Sequence, residues 1–80
     1  MRYKKISEKL IAMFEEDQNV IKWDPIITKQ IVISNTINLK KIIEKIGWPS
    51  EDKVGVRGES SAWLIAQHSD HDVKFQKKCL

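Results

Sequence analysis

The side chains of this 80-residue sequence that are able to do chemistry gather in two places. Gln67-His68-Ser69-Asp70-His71-Asp72 puts imidazoles and carboxylates side by side, and Glu15-Glu16-Asp17-Gln18 closes an apolar stretch with acids. An imidazole exchanges its proton near neutral pH, and a carboxylate bonded to one ring nitrogen leaves the other to act as a base. His68 and His71, oriented by Asp17, are therefore the candidate catalytic groups. His68, His71 and Asp72 also lie within one helical turn, and two nitrogens with a carboxylate begin a metal shell. Zinc needs a fuller set, and the His-Glu-x-x-His spacing is missing, so neither a metal nor another cofactor is assigned. Nucleophilic catalysis has less to draw on. Ser60, Ser61 and Ser69 lack a nucleophile-elbow context, and Cys79 sits close to the last residue.

Positioning these groups falls to helices. Ile6, Leu10, Phe14 and Ile21, flanked by Ile11 and Met13, recur at helical steps, which predicts a first helix from Lys5 to Ile21. Trp23-Asp24-Pro25 stops it, because the residue before a proline avoids the helical region. Residues 26–33 are rich in β-branched side chains and admit a strand. Val32, Asn35, Leu39, Ile42 and Ile46, widened by Ile43, instead trace one helix face, and a second helix from Ile27 to Ile46 is the reading adopted. Gly47-Trp48-Pro49 ends it with a C-cap glycine and a proline that cannot continue a helix. Ser50 to Glu59, with Gly55 and Gly58, reads as a loop. A third helix is expected from Ser60 to His71, and Ala62-Trp63-Leu64-Ile65-Ala66, apolar on every side, makes it the most buried. Asp72 is placed to cap a last short helix through Phe75 to Leu80. The fold class is all-α: residues 1–80 form a single helical domain, a small bundle of three main helices and a short C-terminal one.

On that frame several polar residues point inward. Asp17 shares the stripe of Leu10, Phe14 and Ile21, and Asn35 interrupts the seam of the second helix. Gln67 and His71 follow Trp63 at four-residue steps, and His68 follows Leu64. A buried polar group without a partner costs several kcal/mol, roughly, so these groups should meet one another. The simplest solution bonds Asp17 to His68 or His71, with Asn35 and Gln67 completing the network. Such a network serves to fix helix register, as a core Asn does in coiled coils, or to form a ligand pocket. Asn35 and Gln67 read first as register, whereas Asp17, His68 and His71 fit either use.

Composition narrows the classes of function. With 41% hydrophobic residues and few Gly or Pro, the chain has the makings of a folded core rather than a linker. The net charge of +3 is spread among interleaved acids and bases and forms no stripe, which speaks against nucleic acid. One cysteine, Cys79, excludes an internal disulfide and fits a reducing compartment. No segment is apolar enough for a signal peptide or a membrane span, so the expected location is cytoplasmic, with no membrane partner. Trp23, Trp48 and Trp63 read as core-filling residues.

Glu15-Glu16-Asp17-Gln18, Gly47-Trp48-Pro49 and Ala62-Trp63-Leu64-Ile65-Ala66-Gln67-His68, followed by Asp70, Asp72, Phe75 and Gln76, resemble a set of uncharacterised bacterial proteins known only as a domain of unknown function. The resemblance implies a helical fold, with Asp17, Gln18, Trp48, Gln67, His68 and Asp70 as positions of interest. It brings no activity with it. Proteins of that kind run on past the Phe-Gln segment into a second polar portion, and a site completed there would be incomplete in a chain ending at Leu80. The expected function is a helical binding module that holds a small polar ligand or a partner protein in a groove around Asp17, Trp48, Gln67 and His68. A small hydrolase-like enzyme is the alternative, with His68 or His71 as base or as metal ligand. A purely structural homo-oligomer is the third reading.

Overall fold

The computed structural model describes residues 2–20 and 25–79, so Ile21, Trp23, Asp24 and Leu80 lie outside the described residues. Among the described residues there are four α-helices and no strand: α1 (Lys4–Val20), α2 (Pro25–Ile46), α3 (Glu51–Gln67) and α4 (Val73–Cys79). Three longer helices and a short last one are the architecture that the periodicity predicts.

Helix α1 buries Leu10 and Met13 and half-buries Ile6 and Phe14, the stripe read from its spacing, and Asp17 is buried on the same face. Helix α2 resolves the ambiguity of residues 26–33 in favour of helix. Pro25 is its first residue, a position where the missing N–H costs nothing and the fixed φ suits the turn. Asn35, Thr36, Leu39 and Ile42 are its buried face. Its end has two devices. Gly47 takes φ 76° and returns its N–H to the Ile43 carbonyl at 2.8 Å. The Lys53 ammonium then donates to the carbonyls of Ile46 at 2.7 Å and Trp48 at 3.2 Å, placing a cation where the helix dipole is negative.

In the segment expected to be a loop, Ser50 to Glu59, everything after the extended N-cap Ser50 is helical except at one point. Ser50 accepts backbone bonds from Lys53 and Val54, both 3.0 Å, which closes a single turn over Glu51–Val54. Gly55 then breaks the path at φ 77°, ψ 170°, and the helix resumes towards Gln67. Gly58, also read as a turn residue, instead sits inside the helix where space is short. A Cβ there would lie 2.9 Å from the Ser7 hydroxyl of α1 and 2.8 Å from Val54 Cβ. The two glycines do different work: one bends the backbone, and the other lets α1 and α3 approach.

Helix α3 also ends at Gln67, short of the expected His71. The His68 amide still reaches the Leu64 carbonyl at 3.0 Å, Ser69 tightens onto Ala66 at 3.1 Å, and Asp72 turns back to Ser69 at 3.0 Å. The chain leaves the helix here so that Asp72 can start the next one, accepting the Phe75 N–H on Oδ1 at 3.1 Å. His71 falls in this turn and is exposed.

Leu10, Met13, Leu39, Ile42, Val54, Ala62, Ile65 and Ala66 make the core, with Phe14, Ile43, Trp48 and Phe75 packed around it. Ala62, Ile65 and Ala66 enter it from α3, but Trp63 points the other way and is 46% exposed, so that helix is not buried on every side. No described helix is long and apolar enough to cross a membrane.

Candidate functional site

Asp17, near the end of α1, and His68, just past the end of α3, meet across 51 residues of sequence. The His68 Nδ1–H donates to Asp17 Oδ2 at 2.6 Å. Asp17 is only 1% exposed, whereas 32% of the His68 side chain is open. The pair thus has a dry end and a wet end. The carboxylate is anchored in the core by its place on the Leu10–Phe14 stripe, and the ring leans out from the turn where α3 stops. With Nδ1 committed to the carboxylate, the ring keeps Nε2 for whatever approaches from outside, as acceptor when neutral and donor when protonated.

The second carboxylate oxygen is the anomaly. Asp17 Oδ1 is buried and has no hydrogen-bond partner among the described residues. A buried carboxylate ordinarily fills both oxygens, because each lone pair withdrawn from water must be repaid. This one carries an unmet demand beside a half-exposed imidazole.

The neighbouring polar groups are satisfied internally. Asn35 donates from Nδ2 to the Met13 carbonyl at 3.1 Å, fixing α2 against α1. Thr36, which apolar spacing does not mark, and Ser69, weighed above only as a nucleophile, have hydroxyl oxygens 2.6 Å apart in the core. Thr36 Oγ1 also lies 2.9 Å from the Val32 carbonyl, and Ser69 Oγ lies 2.8 Å from that of Ile65. Each hydroxyl has one proton, so whichever donates to the other forgoes its own carbonyl. The phase of Thr36 beside Asn35 was the available signal. Ser69 is buried only because the chain leaves the helix before it.

The remaining expected positions are dispersed. Gln67 is half-buried, and its carbonyl accepts the Gln76 side-chain amide at 2.6 Å. Asp70 is exposed and accepts from the same amide at 3.0 Å. Gln18 is exposed on α1. Trp48 belongs to a different surface, where its Nε1–H donates to Glu59 Oε2 at 3.3 Å. Among the described residues, the two clefts that Trp48 lines do not include Asp17, Gln67 or His68 in their walls. No three His, Cys, Asp or Glu side chains gather among the described residues, and the sequence neighbours His68, His71 and Asp72 do not converge. His71 is turned out to solvent, and Asp72 is paired with Lys40 of α2. Hydrogen bonds from the Lys40 ammonium and then from the Phe75 amide hold the Asp72 carboxyl below the usual carboxylate range. Burial raises the pKa of the Cys79 thiol.

Fold and site together define a small all-α protein that carries a carboxylate–imidazole pair at the junction of its first and third helices. The chain belongs to the family of unknown function DUF6624, whose model matches residues 4–80. No curated protein and no solved structure matches it.

Proposed function

We propose that this chain is a binding module that holds a small polar ligand at the exposed edge of His68, with Asp17 fixing the ring. The observation that carries the reading is the pair's asymmetry. A core that needed only register would bury two neutral partners, as Thr36 and Ser69 are buried. Here a carboxyl is buried, with one oxygen that has no partner among the described residues, while its imidazole is partly exposed. Functional sites hold polar groups in this way at a cost to the fold. The free thiol of Cys79 suits a cytoplasmic setting.

His68→Gln tests the proposal, since the Gln amide can still donate to Asp17 while the imidazole is lost. Native mass spectrometry of protein taken straight from cells is expected to show a small-molecule adduct on the parent chain and none on the variant. An identical adduct pattern in both, or none in either, would overturn the reading.

One observation favours a second reading, that of an acid–base enzyme. Asp17 takes Nδ1 and leaves Nε2, the arrangement in which a carboxylate orients an imidazole as general base. Turnover of an ester or phosphodiester panel that His68→Gln abolishes, with a pH profile following one imidazole, would establish it.

A further inference from the structure

A second surface, independent of the Asp17–His68 pair, has the chemistry of a ligand site. Helices α2 and α4 face each other across an open cleft of about 660 Å³. Its apolar lining includes Ile43, Trp48 and Phe75, and its rim carries Lys40, Lys74 and Lys78. A second cleft of about 490 Å³ shares Trp48 and Cys79 with the first and adds Trp63 and Leu64. The exposure of Trp63, which packing on the core does not explain, places its ring in this extension. Volumes of this order are typical of small-molecule sites, which combine an apolar lining with a few polar groups that set orientation.

The charges on the rim are not equivalent. Lys40 is spent: it pairs with Asp72 and stands 5.2 Å over the Phe75 ring centroid. Lys74 and Lys78 have no ion-pair partner among the described residues, and four-residue spacing sets them on one face of α4. The acids of the lining are Asp72, engaged with Lys40, Glu44 of α2 and, in the extension, Glu59, which accepts the Trp48 indole N–H. The cleft therefore has aromatic walls and two uncommitted ammonium groups against one uncommitted carboxylate. We propose that it binds a small aromatic anion, its ring system lying against Trp48 and Phe75 and its carboxylate or phosphate meeting Lys74 and Lys78. Cys79 lines both clefts.

The test uses 2-naphthoate and its neutral isostere 2-naphthamide, with binding read by quenching of tryptophan fluorescence and by shifts of the Trp48 indole and α4 amide signals. Naphthoate is expected to bind with shifts at Trp48, Phe75 and Lys78, and naphthamide at least about tenfold more weakly, as loss of a charged contact implies. Lys74→Gln/Lys78→Gln alters exposed side chains only; it should leave circular dichroism unchanged and reduce naphthoate affinity to that of naphthamide. Glu44→Gln should strengthen naphthoate binding by removing the opposing charge. Equal binding of the two probes, an unaffected double variant, or no binding at all would overturn the proposal. Shifts confined to His68 and Gln67 would also overturn it, and would assign the anion to the other site.

Discussion

Asp17–His68 and Lys40–Asp72 are both acid–base pairs that tie distant parts of the chain together, and they differ in how much water each end keeps. Lys40 and Asp72 are both partly open, with side chains 42% and 29% exposed, so either can return to solvent when the other is lost. In Asp17–His68 only the imidazole has that freedom. Breaking a pair whose members can rehydrate costs little, whereas stranding a charge in the core is expensive. The consequence of removing a partner depends on which group is left behind, and the shorter contact or longer span does not decide it.

The largest effect should therefore come from His68→Ala, which leaves the Asp17 carboxyl buried without its partner, at a cost of about 3–5 kcal/mol in urea unfolding. Asp17→Ala leaves a ring that is already one-third open and should cost less, about 1–3 kcal/mol. The double variant should cost less than the two single changes added together, because the stranded group goes with its partner. Equal single losses would show that Asp17 reaches water, and the contrast between the two pairs would disappear.

The next effect concerns the crossing that brings the buried pair together. Gly58→Ala forces a methyl against Ser7 and Val54 and should cost about 1–3 kcal/mol, read as a lower melting temperature. Adding Ser7→Ala should recover part of that loss, since it removes one of the three clashing atoms, the Ser7 Oγ.

The smallest effect belongs to the open pair, and it should depend on pH. The Asp72 carboxyl is held below its ordinary value when folded, so its pairing stabilises the native state at neutral pH. That contribution fades as acid titrates the carboxyl through its depressed folded pKa. The melting temperature of Lys40→Met should sit slightly below that of the parent at pH 7, and the gap should close in strong acid. A gap that widens in acid would contradict the pairing.

Much of this frame was legible in the order of the residues. The Leu10–Phe14 stripe put Asp17 inside, the Val32–Leu39 seam put Asn35 inside, and Asp72 was recognisable as a cap. Periodicity alone extends α3 through both His68 and His71 and does not choose between them as the partner of Asp17. What separates them is a turn stabilised by Ser69 and Asp72, a competition between continuing one helix and starting another that apolar spacing does not register. The Ser50–Glu59 segment departs from its loop-like composition for a similar reason. Two glycines and a run of charges resemble a loop in composition, yet Ser50 and Lys53 supply the bonds that let a helical turn form there, and Gly58 is there for clearance. The site was harder still, because Trp48 falls on a surface set by α4, whose packing depends on where α3 stops.

The turn at Glu51–Val54 has a bearing on the order in which the molecule assembles. Lys53 reaches carbonyls only five and seven residues back, so the corner between α2 and α3 closes through short loops. The Asp17–His68 contact must close a loop of 51 residues, and a long loop forfeits more chain entropy before it is rewarded. The corner is expected early and the acid–imidazole contact late. Lys53→Met should then slow refolding in stopped-flow measurements, whereas Asp17→Ala should mainly hasten unfolding. A chain built in this sequence completes its scaffold before its buried charge is committed, and Asp17 remains hydrated until the imidazole that will hold it is already in place.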